Sequence, residues 1–161
     1  MPTTVPSSET RFAELKRYVD FSAEDATLLA GFRATAAPHF ERIAQEFYDR
    51  IRLHEDAHAV FTGEAQIARL QRSLVRWLER VFSGTYDEAY FAGTTAIGRV
   101  HVKVGLPQRY MFTAMALIRS SLTQIAEARA EAGSRLAGAL SRRLDLELAI
   151  MLRHYQVDSE E

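Results

Sequence analysis

The sequence predicts an all-α domain. Apolar residues recur at helical spacing along most of the chain, and no segment of any length alternates apolar and polar residues as a strand does. Turn-forming residues are sparse after residue 8, so the connections are short. No internal repeat is present, and 161 residues suit one domain with a substantial core.

The elements follow in order. Residues 1–8 are rich in Pro, Thr and Ser, and a disordered segment over residues 1–9 is expected ahead of a domain over 10–161. Thr10 to Val19 forms a short amphipathic helix through Phe12, Leu15 and Tyr18. Ser22 reads as an N-cap, with Glu24 and Asp25 in the first turn of the next helix. Pro38 opens a third helix, "HFERIAQEFYDRI", with Phe40, Ile43, Phe47, Tyr48 and Ile51 on one face. "GEAQIARLQRSLVRWLERVFSG" is strongly amphipathic and closes at Ser83-Gly84. A less polar helix over 87–104 ends at Gly105, and Pro107 starts a long one. A final helix runs from about Gly133 to His154 or beyond, giving seven or eight helices in all. The last two carry apolar positions on more than one face. Phe112, Met115, Ile118, Leu122 and Ile125 lie along the first; Leu136, Leu140, Leu144, Leu148, Met151, Leu152 and Tyr155 lie along the second. Surplus apolar surface there is expected to meet a partner.

Composition narrows the function. Apolar residues make up 47% and charged residues 25%, and the net charge of −1 lacks the basic footprint of a nucleic-acid or membrane-surface binder. With no cysteine, disulfides, thiolate zinc sites, iron–sulfur clusters, thiol catalysis and C-x-x-C-H thioether attachment are excluded. The N-terminus lacks the basic and apolar regions of a signal peptide, and no apolar run is long enough to span a bilayer. A cytoplasmic location is expected.

Five histidines remain to be weighed. His54-Glu55-Asp56-Ala57-His58 matches H-E-x-x-H, in which two histidines on one helix face bind zinc and the Glu acts as general base. Three features oppose that reading. Asp56 would need a partner if buried, the stretch falls where two longer helices must be joined, and no edge strand is available to hold a peptide. Glu79, 21 residues after His58, is the tempting third ligand, yet the segment reads as solvent-facing residues of a connector. His39 and His154 read as helix-end or surface histidines.

His101 differs. It shares a helix face with Ile97, Val100 and Val104, and Gly98 lies one turn before it. A lone histidine on an apolar face is more often a hydrogen-bonded core residue than a ligand. An apolar wall bearing one neutral imidazole also suits the proximal side of a haem. A second apolar wall exists. Phe47 and Tyr48 place a phenol among aromatics, where its O–H reaches water, a carbonyl or a diatomic ligand. Ile67, Leu70, Ser73 and Leu74 supply a mostly apolar roof with one small hydroxyl, and that face has no Met or His to offer iron.

The run Ile97-Gly98-x-x-His101-x-x-x-Gly105-Leu106-Pro107-x-x-Tyr110 resembles the proximal region of the globin-coupled sensors, and "EFYDRI" resembles their second-helix segment. The resemblance spans about residues 10 to 157 and implies a globin-like fold with an extra N-terminal helix and a shortened distal region. It further implies non-covalent haem b with His101 as the axial ligand, Tyr48 as distal donor, and Leu70 and Ser73 as distal lining. By the same resemblance Phe61 packs near the porphyrin, and Tyr110 matches a tyrosine that relays changes at the iron. A homodimer through the last two helices, oxygen or another diatomic gas as ligand or iron redox state as the signal, and a C-terminal signalling module as output partner are also implied. The chain stops at "HYQVDSEE" with its last helix unfinished, so it is expected to be the non-enzymatic sensory portion of a longer polypeptide. Three other readings compete: a stand-alone globin dioxygenase or peroxidase, a haem-free helical dimerisation module, and the metalloprotease.

Overall fold

The computed structural model describes residues 9–128 and 133–159, and every regular element among them is helical. In chain order these are α1 (Arg11–Tyr18), α2 (Ala23–Ala36), a 3-10 turn (Ala37–His39), α3 (Phe40–Arg52), α4 (Glu55–His58), α5 (Glu64–Val81), α6 (Glu88–Lys103), α7 (Gln108–Glu127) and α8 (Gly133–Ser159). The all-α expectation is met. Of the segment expected to be disordered, residues 1–8 lie outside the described residues; Glu9 accepts two hydrogen bonds from Arg17, at 3.1 and 3.0 Å.

Local chemistry sets the boundaries. The Thr10 hydroxyl accepts the Ala13 N–H and starts α1. Ser22 and Asp25 form a full capping box at α2: the Ser22 hydroxyl accepts from Asp25 N at 3.3 Å, and the Asp25 carboxylate accepts from Ser22 N at 3.1 Å. Asp87 caps α6 through the Tyr90 N–H. Pro38 sits at the start of the 3-10 turn, which runs directly into α3.

One boundary differs from the expectation. α5 ends at Val81, earlier than Gly84, because Phe82 has left helical geometry and drops into the core. Its ring stacks on Phe40 at 5.7 Å and meets the edge of Phe32 at 5.6 Å. Gly84 then turns the chain with φ +82°, in close contact with Ala30 of α2.

α8 is the central helix, packing against α2, α6 and α7, while α3 packs on α5 and α7. Phe32, Phe40, Leu78, Phe82, Leu122, Leu140 and Leu144 are fully enclosed between them. Burying each such side chain contributes about 1.5–3 kcal/mol relative to exposure. Most of the two apolar stripes is covered within the chain. Met115, Ile118, Leu122, Leu136, Leu140, Leu144 and Met151 are all buried within the chain, because α7 and α8 spend those faces on each other and on α2 and α6. On α7 the large exposed apolar side chains are Phe112 and Leu117.

Asp25 does more than cap a helix. It is buried, and Arg142 of α8 grips it through Nε at 2.8 Å and Nη2 at 2.6 Å. Burial pushes its carboxyl pKa up, but the Arg142 hydrogen bonds, the Ser22 N–H and the Arg142 charge outweigh that and hold it below the ordinary value. The first turn of α2 is thereby pinned to the middle of α8.

Candidate functional site

α6 presents His101 in its last turn, two residues before its end at Lys103. The imidazole Nδ1 lies 2.8 Å from the Ile97 carbonyl one turn earlier, an arrangement that places the ring proton on Nδ1. Nε2 is left with a free lone pair. Burial pushes the His101 pKa below its ordinary value, and the Ile97 hydrogen bond opposes this only in part. A neutral imidazole with a fixed tautomer is the form that ligates a metal.

The flanks of His101 are apolar. Ile97 packs against the core, whereas Val100 and Val104 are 53% and 46% exposed. The α6 face adjoining His101 is fixed one turn earlier. At Gly98 an added Cβ would lie 2.6 Å from Cα of Met151, so α6 and α8 touch backbone to backbone. The helix then stops in a Schellman turn. Gly105 adopts φ +81° and donates to the Val102 carbonyl, while Leu106 N donates to the carbonyl of His101 itself at 3.2 Å. The Leu106 carbonyl accepts the Tyr155 hydroxyl of α8 at 2.7 Å. Tyr110, half-buried at the start of α7, carries the Arg109 guanidinium over its ring, and Arg109 reaches Asp56 of α4.

Tyr48 sits on the buried face of α3. Phe47 meets it edge-on at 5.0 Å and Phe61 at 6.1 Å. Its hydroxyl has no hydrogen-bond partner among the described residues, and burial alone pushes its pKa up to about 12. Tyr48 therefore stays protonated at neutral pH and holds an uncommitted donor. From α5, Ile67 is fully buried, and Leu70, Ser73 and Leu74 are half-buried. The Ser73 hydroxyl is committed within its own helix: it donates to the Arg69 carbonyl and accepts from Arg76.

The predicted residues thus fall into two sets. Tyr48, Phe47 and Phe61 form one aromatic cluster, and Ile97 anchors His101. No hydrogen bond or ring contact joins the two sets among the described residues. Two cavities of about 480 and 580 Å³ lie elsewhere, one between α1 and α8 and one between α3 and α5; neither is lined by His101 or Tyr48.

The H-E-x-x-H segment folds as the one-turn α4. His54, Glu55, Asp56 and His58 are exposed, and no cluster of three metal-ligating side chains is assembled among the described residues. The expected connector is what stands there. His39 lies at the start of α3, hydrogen-bonded to Arg42; the His154 side chain lies outside the described residues.

Sequence reasoning missed a buried charged group. Arg143 and Glu147 of α8 are both fully enclosed, and Glu147 accepts a hydrogen bond from the Tyr90 hydroxyl of α6. The signal was available: both residues fall at helical spacing on the stripe through Leu140, Leu144 and Met151.

The helical order, with α1 ahead of the core and a distal connector reduced to the single turn α4, defines a globin-like fold with an extra N-terminal helix and a shortened distal region. The chain belongs to the protoglobin family, whose model matches residues 8–161. It is similar to the globin domain of the Geobacter sulfurreducens globin-coupled sensor at 29% identity, covering 88% of this chain and 95% of that one with a TM-score of 0.84. The globin domain of E. coli DosC shares the fold at 19% identity in its ferric form, with 88% and 97% coverage and a TM-score of 0.75. Its ferrous form, at 18% identity and the same coverage, gives a TM-score of 0.71. No protein of curated function matches the chain.

Proposed function

We propose that this chain is the haem-binding sensory domain of a diatomic-gas sensor, with oxygen as its first candidate ligand. One observation carries the reading. A neutral imidazole, oriented through Nδ1 and free at Nε2, stands beside exposed valines on a helix whose Tyr90, Thr94 and Gly98 are buried. Such a wall fits a flat apolar macrocycle with a metal at its centre. The likeness to a globin domain of a globin-coupled sensor supports the same reading.

Nε2 of His101 would hold the iron of a non-covalent haem b, with Ile97, Val100 and Val104 as its apolar contacts beside the histidine. Phe47, Phe61, Ile67, Leu70, Ser73 and Leu74 line the distal side, with Tyr110 near the proximal end. When bound, the haem supplies a ferrous centre that takes up a diatomic gas. Tyr48 holds its proton for a polar guest, because burial keeps the phenol un-ionised and no acceptor among the described residues competes for it. The Ile97 carbonyl keeps the imidazole in one tautomer and one orientation. Ser73, whose hydroxyl is committed to its own helix, contributes shape rather than a donor.

The reading extends to pairing of two copies through α7 and α8, with Phe112 and Leu117 as exposed apolar contacts, and to a signalling module C-terminal to α8 as the output. Absorption spectra of the purified protein under air, dithionite and carbon monoxide test the core of it. A red protein whose Soret band moves with each treatment is expected. A protein that stays colourless after haem is supplied rejects the haem and the sensor together.

A further inference from the structure

Arg143 is the largest fully buried side chain in the molecule, and none of its three guanidinium nitrogens has a hydrogen-bond partner among the described residues. Its surroundings are aromatic. Tyr86, Phe21, Tyr90 and Phe12 place their ring centroids 4.6, 4.9, 5.0 and 5.8 Å from the guanidinium carbon. Ring faces attract a cation but give its N–H groups no acceptor. Glu147, one turn along, spends one oxygen on Tyr90 and leaves the other buried and unpartnered. A buried charge left in this state is costly, and any opening that admits water relieves it.

One wall of this cage is lightly held. α1 is eight residues long and buries a single side chain, Phe12, which also meets Phe91 at 5.3 Å. Its remaining ties to the fold are few: Leu15 packs half-buried against the core, Lys16 Nζ donates to the Tyr86 carbonyl, and the Thr10 hydroxyl donates to Glu88. The cavity of about 480 Å³ lies directly between α1 and α8, with Arg11 and Leu15 on one side and Ile150 and Leu152 on the other.

We propose that α1 is a displaceable clasp, seated by Phe12 over the Arg143 cage and opening at low free-energy cost because opening returns the Arg143 guanidinium to water. Its seating covers the seam where Tyr90 of α6 bonds Glu147 of α8, so the clasp sets how firmly α6 is held on its central support. The device is independent of what His101 ligates.

Hydrogen exchange by mass spectrometry on the full chain tests it, with α5 (residues 64–81) as the internal reference. In the wild type, residues 11–19 should exchange at least about tenfold faster than α5. Arg143→Met keeps an unbranched side chain among the rings and removes the buried charge; it should slow exchange of residues 11–19 at least about threefold. Phe12→Ala should accelerate residues 11–19 alone. Exchange of α1 in step with α5 would overturn the proposal, as would unchanged or faster α1 exchange in Arg143→Met. Failure of Arg143→Met to fold would overturn it too, since the arginine would then be a support of the core. A Phe12→Ala change that leaves α1 unaltered, or that spreads to α5, counts against it equally.

Discussion

Gly98 of α6 and Met151 of α8 meet with no side chain between them: a Cβ on Gly98 would lie 2.6 Å from Met151 Cα and 2.9 Å from its carbonyl oxygen. Both obstructing atoms are backbone, so relief requires the helices to part. Gly98→Ala is expected to destabilise the fold by about 1–3 kcal/mol despite the better helix propensity of alanine. Gly31 in α2 is the control. Nothing lies within 4 Å of its would-be Cβ, and Gly31→Ala should stabilise by about 0.5–1 kcal/mol. Urea unfolding of the two variants checks the opposite signs.

His101→Ala removes the one ring whose Nε2 is free on the α6 apolar face. The variant should fold, because His101 is only half-buried and the hydrogen bond its ring makes to Ile97 is within its own helix. It should lose stable haem, with the Soret band restored by added imidazole. Full absorbance without imidazole would move the ligand elsewhere.

Tyr48→Phe keeps the ring packing against Phe47 and Phe61 and deletes the uncommitted donor. A hydrogen bond to a charged acceptor contributes roughly 1.5–3 kcal/mol, so the oxygen off-rate should rise about ten- to a hundredfold. Carbon monoxide, less polar as a ligand, should change far less. Stopped-flow off-rates for both gases decide it, and equal effects would remove Tyr48 from the distal role.

The Asp25–Arg142 pair makes stability depend on acid. A carboxyl whose folded pKa lies below its unfolded value contributes stability above the unfolded value, about pH 3.9, and loses it as pH falls through the folded one. Asp25→Asn should therefore cost about 1–2 kcal/mol at pH 7, allowing for the partial exposure of Arg142. At a pH low enough to protonate the folded carboxyl the variant and the wild type should converge. Denaturant midpoints measured at both pH values give the comparison.

Much of the fold was legible because its signals are local. Ser22 with Asp25, Pro38, Asp87 at the head of α6, and Gly105 at its foot act over three or four residues, and each stands at a helix end. His101 and Tyr48 were legible as unusual groups on apolar stripes. Features that depend on a second helix were not. Phe82 ends α5 early because Phe32 and Phe40 await it, which no reading of residues 64–84 contains. The stripe on α8 shows that Leu140 and Leu144 are inward, but only the presence of α6 and α1 turns Arg143 and Glu147 inward with them. How much of the α7 and α8 stripes is left over was hidden for the same reason: Phe112 stays exposed while Met115 is covered, and a stripe gives the direction of an apolar face and not the identity of what covers it.

The Schellman turn has a consequence for chain length. His101 gives its carbonyl to Leu106, and Leu106 gives its own to Tyr155, so the spacing from histidine to α8 is gauged by two consecutive hydrogen bonds. Inserting or deleting a residue between positions 101 and 106 would break both at once. Residues 101–106 and Tyr155 form an indivisible cassette, to be kept whole in any chimaera built from this domain.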